Sequence, residues 1–141
     1  VRGIKLEKDD VLIGMEVFPE KLNIPEDKRK KVFRDILTIS ERGLGKRTPV
    51  TLFPTQKRGG KGVKASTVSA KTGQLASAIL VNEEMGQVVI TSSQGQVIKL
   101  PLKNIPQLGR ATQGVILMRF ADKNDMVAAV TTLDKNPEEE E

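Results

Sequence analysis

Seven consecutive residues, Gln56-Lys57-Arg58-Gly59-Gly60-Lys61-Gly62, bring together three cations and three glycines. Glycine has no Cβ, so the backbone there can approach another surface closely and adopt positive φ. The cations supply charge at the same place. The chemistry this permits is anion binding, with main-chain N–H groups and side-chain charge both directed at phosphate. A solvated basic turn has the same composition, so the surroundings of the heptad must decide between the two.

Other chemistry is poorly supplied. The 141 residues contain no His, Cys, Tyr or Trp. That removes most nucleophiles and the common general base, and leaves Ser and Thr without the usual activating partner. The usual zinc ligands are missing too. A phosphate loop of the G-x-x-x-x-G-K-[ST] type fails at Gly60-Lys61, where Thr55 and Gly62 stand at the outer positions, and at Gly45-Lys46, where Ser40 and Arg47 do. Asp122-Lys123-Asn124-Asp125 resembles a calcium loop only until Met126-Val127 breaks it. Asp9-Asp10 reads as a turn. No catalytic centre, metal or cofactor is expected. No apolar run reaches the length of a membrane span and no secretory signal opens the chain, so the cytosol is the expected compartment. The start at Val1 reads as part of a longer protein.

Charge is distributed unevenly. Residues 36–64 hold seven Lys/Arg and one acid, residues 99–120 hold four Lys/Arg and no acid, and residues 121–141 hold two Lys and seven acids. A basic middle suits an anionic partner, and an acidic end could compete with it. The only aromatics are four phenylalanines, which argues against the stacking platforms that single-stranded nucleic acid requires.

The elements that must hold the heptad are repeated. Residues 36–63 align without a gap on residues 88–115, at an offset of 52. Ser40/Ser92, Gly43/Gly95, Pro49/Pro101, Pro54/Pro106, Arg58/Arg110, Gly62/Gly114 and Val63/Val115 are identical. A third copy is cut by the start, where Arg2-Gly3-Ile4 resembles Gln113-Gly114-Val115. The pattern predicts strands over 36–40, 44–52, 62–69 and 76–82 in the first full unit. In the second it predicts 87–93, 96–102, 114–120 and 126–133, and the fragment adds 1–6 and 11–17. Residues 40–43 and 92–95 are hairpin turns with Gly where positive φ is needed. Four short strands per unit of about fifty residues is the pattern of propeller blades. The fold class is therefore all-β. Residues 1–35 form the end of a preceding blade plus a charged insertion, 36–86 one blade and 87–133 the terminal blade. Residues 134–141 are an acidic tail expected to be disordered. The insertion, 19–35, carries Lys28, Arg29, Lys30 and Lys31 and predicts a loop with a turn or two of helix.

At this point the residues resemble a known family. The heptad matches the gyrase box, the signature of the C-terminal domain of DNA gyrase A. Residues 1–6, Gly43-Leu44-Gly45-Lys46-Arg47-Thr48-Pro49 and Gly109-Arg110-Ala111-Thr112-Gln113-Gly114-Val115 resemble that domain's recurring blade phrases. The resemblance implies a β-pinwheel, here about two to two and a half blades of a six-bladed ring. It also implies duplex DNA wrapped on a basic rim in support of negative supercoiling. Its implied partners are double-stranded DNA and, in a heterotetramer, the rest of gyrase A together with gyrase B. The catalytic tyrosine belongs to another domain, so this part would be non-catalytic and bacterial, in the nucleoid-associated cytoplasm. The box of this family usually sits in the first blade, whereas here it lies near the acidic end.

On this reading Lys57, Arg58 and Lys61 neutralise phosphates, Gly59, Gly60 and Gly62 let the backbone approach, and Gln56 donates a hydrogen bond. Lys46, Arg47 and Lys64 extend the track, and Lys99, Lys103 and Arg110 continue it on the next blade. The second unit has Leu108-Gly109-Arg110-Ala111-Thr112-Gln113-Gly114 at the box position and keeps one cation of three, so weaker binding is expected there. The alternatives are the matching C-terminal domain of topoisomerase IV, whose boxes are usually degenerate, and a propeller-like protein-interaction module. The latter would not need cations at equivalent turns.

Overall fold

The computed structural model describes residues 34–54, 63–82 and 85–134. Seven strands are seen among them: β1 (Asp35–Ser40), β2 (Leu44–Pro49), β3 (Leu75–Val81), β4 (Met85–Ser92), β5 (Val97–Pro101), β6 (Val115–Ile116) and β7 (Val127–Asp134). They form two antiparallel sheets, one ordered β3-β1-β2-β6 and the other β5-β4-β7. The expectations for 1–6, 11–17, the 19–35 insertion up to residue 33, and 135–141 lie outside the described residues.

The two repeat units build their first hairpins with the same device. Gly43 and Gly95 sit at φ 86° and 91°, and each donates its N–H to the carbonyl of the serine three residues earlier. The hydroxyls of Ser40 and Ser92 then accept from Leu44 N and Gln96 N, at 3.2 and 2.9 Å. Positive φ is cheap only for glycine, which is why both turns keep one. After the hairpins, Pro49 and Pro101 end β2 and β5. Proline has no N–H to extend a ladder, and in both units a 3-10 turn follows, Val50–Leu52 and Leu102–Asn104.

Three expected strands are shorter or different in kind. The 44–52 strand stops at Pro49 for the reason just given. The 114–120 strand is a ladder only at β6, which pairs not with its own unit but with β2, in the register Leu44↔Ile116 and Gly45↔Val115. Residues 63–69, expected to be a strand, carry no ladder among the described residues beyond the single bridge Ser69↔Gly73.

The exchanged strand is fixed by close backbone contact. Gly114 has φ 86°, and a Cβ built on it would lie 2.5 Å from Gly45 O. Both blades also share one core. Leu37 and Ile39 from β1, Val88 and Ile90 from β4, and Leu102, Ile105 and Met118 pack in a single cluster with Val81 and Val127. Val127 N donates to Glu41 O at 2.9 Å across the same boundary. Asp125, ahead of β7, accepts from Ser93 Oγ, Gln94 N and Met126 N. Burial pushes its carboxyl up, but hydrogen bonds from the Ser92 and Ser93 side chains and the Met126 and Gln94 amides outweigh this and hold it below the usual range. Asp125 thus fastens a turn.

Candidate nucleic-acid interface

Successive side chains of β2 point to opposite faces, and the two cations in it go separate ways. Lys46 shares its face with Leu44 and Thr48, all three buried. Its Nζ reaches into the second unit and donates to Gly109 O, Arg110 O and Thr112 O, each at 2.8 Å, and to Thr112 Oγ1 at 3.0 Å. Burying a cation is tolerable only when it is satisfied in this way. Burial pulls the ammonium down from the usual 10.5 to about 8, so it is still mostly charged at pH 7.

Arg47 points the other way. Its Nε donates to Ile105 O at 2.7 Å, and its guanidinium meets Asp35 Oδ2 at 3.4 Å. Asp35 also accepts from Gln107 Nε2 on both oxygens at 3.0 Å. The main chain of Arg47 exchanges bonds with Pro106 O and Leu108 N. One strand of the first unit therefore grips the whole run from Ile105 to Thr112 of the second.

That grip brings together the two segments of interest. Residues 64–67, which follow the heptad after Val63, lie against the heptad-equivalent turn at 109–112. Arg110 donates to Lys64 O at 2.9 Å, Thr67 N donates to Thr112 O at 3.0 Å, and Ser66 Oγ donates to the same carbonyl. The Arg110 guanidinium also sits 5.9 Å from the centre of the Phe53 ring. Lys64, Lys99 and Lys103 are exposed. A cleft of about 710 Å³ opens where the units meet, with Arg34, Arg47 and Lys103 set against Asp35.

The expected track is thus partly redrawn. Lys46 is a correction: it is fully buried, its charge is held by carbonyls, and it cannot touch a phosphate. Arg47 is partly committed to Asp35 and Ile105. Arg110 is half-buried and tied to Lys64. Gln56, Lys57, Arg58, Gly59, Gly60, Lys61 and Gly62 lie outside the described residues. Sequence reasoning missed Thr112, Ser66 and Phe53 as the parts that hold the turn. A signal for Lys46 was present: at the offset of 52 it aligns with Ile98, an apolar residue, whereas Arg47 aligns with Lys99.

The family described as DNA gyrase C-terminal domain, beta-propeller, matches residues 1–19, 34–82 and 86–134. The chain belongs to this family. The match omits 20–33, most of the charged insertion, and 135–141, the acidic end. DNA gyrase A of Staphylococcus epidermidis is 36% identical over 138 residues, covering 96% of this chain and 14% of that protein. Its Staphylococcus aureus counterpart is 32% identical over 140 residues, covering 99% and 14%. The chain therefore spans about one seventh of the length of these relatives. Among solved structures, a DNA gyrase A C-terminal domain superimposes with TM-score 0.64 at 26% identity, over 71% of this chain and 33% of that one. The C-terminal domain of DNA topoisomerase IV gives TM-score 0.76 over 95% of this chain and 38% of its own, at 15% identity, a likeness of fold alone.

Proposed function

We propose that this chain is a non-catalytic module that binds, bends and wraps duplex DNA as part of DNA gyrase A. In that role it supports ATP-dependent negative supercoiling by a cytoplasmic bacterial holoenzyme that also contains gyrase B. The observation that carries this reading is the packing of 64–67, which follow the heptad in sequence, against the 109–112 turn of the second unit. Lys57, Arg58 and Lys61 would neutralise phosphates, and Lys64, Lys99 and Lys103 are exposed among the described residues. Phosphate contacts of this kind position a duplex without reading its sequence. Bending a 20–30 bp segment costs about 1–6 kcal/mol, which added phosphate contacts offset. The lack of any tyrosine leaves DNA cleavage to another part of the protein. The intact heptad favours gyrase over topoisomerase IV, although both share the fold.

Wrapping is tested by plasmid topology: the chain is bound to relaxed plasmid, the plasmid is treated with a nicking-closing enzyme, and linking number is read on a gel. A shift in linking number is expected, and none would defeat the proposal. Binding should also be steep in salt. With Lys57, Arg58, Lys61, Lys64, Lys99 and Lys103 on phosphates, affinity should fall roughly 10³-fold between about 50 and 200 mM salt. A shallow slope, or strong preference for one sequence, would contradict it.

A further inference from the structure

The second turn keeps one cation, Arg110, and that side chain is half-buried. It touches the first unit at two places, and these are the two ends of the heptad segment. The guanidinium lies over the Phe53 ring, 5.9 Å from its centre, within reach of a cation–π contact. Phe53 stands three residues before Gln56. At the other end, Arg110 Nη1 donates to Lys64 O at 2.9 Å, and Lys64 stands two residues after Gly62. Thr112, in the same turn, adds to this second end, where its carbonyl accepts from Ser66 Oγ and Thr67 N. A side chain can hold two points of another unit only if its own main chain is fixed. Lys46 supplies this from β2, since its ammonium takes the carbonyls of Gly109, Arg110 and Thr112 at 2.8 Å each.

We propose that Arg110 is a positioning residue for the heptad: from the second unit it clasps both ends of the segment that carries Gln56–Gly62, and so sets how Lys57, Arg58 and Lys61 meet a duplex. The proposal rests on the DNA-binding reading and deepens it. It gives Arg110 a task other than the phosphate contact expected of it from sequence. The segment between the two ends contains three glycines, which lose more freedom on ordering than any other residue. Ordering a segment at the moment of binding lowers affinity, and holding its ends together beforehand removes part of that loss. The guanidinium suits the task because its plane can lie on a ring while an N–H at its edge meets a carbonyl. The ammonium of lysine is a point charge with no plane to stack. The heptad of the first unit thus depends on the second unit for its own arrangement.

The test is a double-variant cycle on the 141-residue chain. The readout is affinity for a mixed-sequence duplex of about 20 bp at ~0.1 M salt. Arg110→Lys keeps the charge and removes the stacking plane and the fork of donors. In the wild-type background it should lower affinity about 10-fold, an effect of the size shown by groups that share one network. In a chain already carrying Lys57→Ala, Arg58→Ala and Lys61→Ala it should lower affinity no further, because no heptad cation is left to position. A phosphate contact made by Arg110 itself would leave Arg110→Lys close to wild type in both backgrounds. A merely structural role would give equal losses in both. Either pattern overturns the inference and leaves the DNA-binding reading standing. A wild-type chain that fails to bind duplex at all ends both. Phe53→Leu, which keeps an apolar side chain and removes the ring, should follow Arg110→Lys in the two backgrounds, and it decides alone should Arg110→Lys fail to fold.

Discussion

Gly114→Ala should damage the junction between the units far more than the same change at Gly95. Both glycines have positive φ, 86° and 91°, so alanine at either carries a backbone penalty of about 1–2 kcal/mol. Their surroundings differ. At Gly95 nothing lies within 4 Å of the new Cβ, whereas at Gly114 it would meet Gly45 O at 2.5 Å and Gly45 C at 2.8 Å. Those atoms belong to β2 at its pairing with β6, and backbone cannot swing aside as a flexible side chain would. Overpacking of this kind adds about 1–3 kcal/mol. The expected totals are about 2–5 kcal/mol for Gly114→Ala and about 1–2 kcal/mol for Gly95→Ala. Against a net stability of about 5–15 kcal/mol the larger loss is severe. Thermal melts of the two variants under one set of conditions measure the difference, at roughly 4 °C per kcal/mol. Equal losses in the two would show that β6 does not fasten the units, and the account of the junction would be wrong.

Two further outcomes follow from the charged residues. Replacing Lys57, Arg58 and Lys61 together by Ala should abolish the plasmid linking-number shift and leave the melt within about a degree or two, since a heptad that serves to bind phosphate adds little to stability. An unfolded triple variant would make the heptad structural instead. Raising pH through about 8 should discharge Lys46 in the folded chain. Its folded pKa, about 8, lies below the unfolded 10.5. The unfolded chain therefore keeps the proton longer, and this group's contribution to stability rises as pH climbs from about 8 to 10.5. The charged groups on the surrounding elements are Asp35 on β1, Arg47 on β2, and Lys64 and Arg110 beside the turn, with Arg47 on Asp35 and Arg110 on Lys64 O. Melts of wild type and Lys46→Met whose difference does not change between about pH 7 and 10 would refute the burial given to Lys46.

Much of the fold was legible because the same chemistry is written twice. The paired serines, glycines and prolines at 40/92, 43/95 and 49/101 mark turns and strand ends that only those residue types satisfy, and β1, β2, β4 and β5 begin and end near them. What was not legible is which sheet a strand joins. Val115 and Ile116 carry no sign that their partners are Leu44 and Gly45, since local pattern fixes extension but not the neighbour. The same limit misplaced Lys46. A lysine in a basic stretch reads as surface, and only the carbonyls of a turn more than sixty residues later make its burial tolerable. The alignment of Lys46 with Ile98 was the one local hint that this position faces inward.

The pairing of β6 with β2 also sets an order in time. The chain is made from its amino end, so β1, β2 and β3 leave the ribosome with one edge of their sheet still open. That edge stays bare until Ile116 has emerged, by which point β4 and β5 are already available to fold. The first unit is thus completed by the second, and the growing chain carries an exposed strand edge until β6 is made. Such edges invite pairing with other chains. Lys46, seated in that edge strand with its carbonyl partners not yet made, puts a charge on it during the interval in which it most needs one.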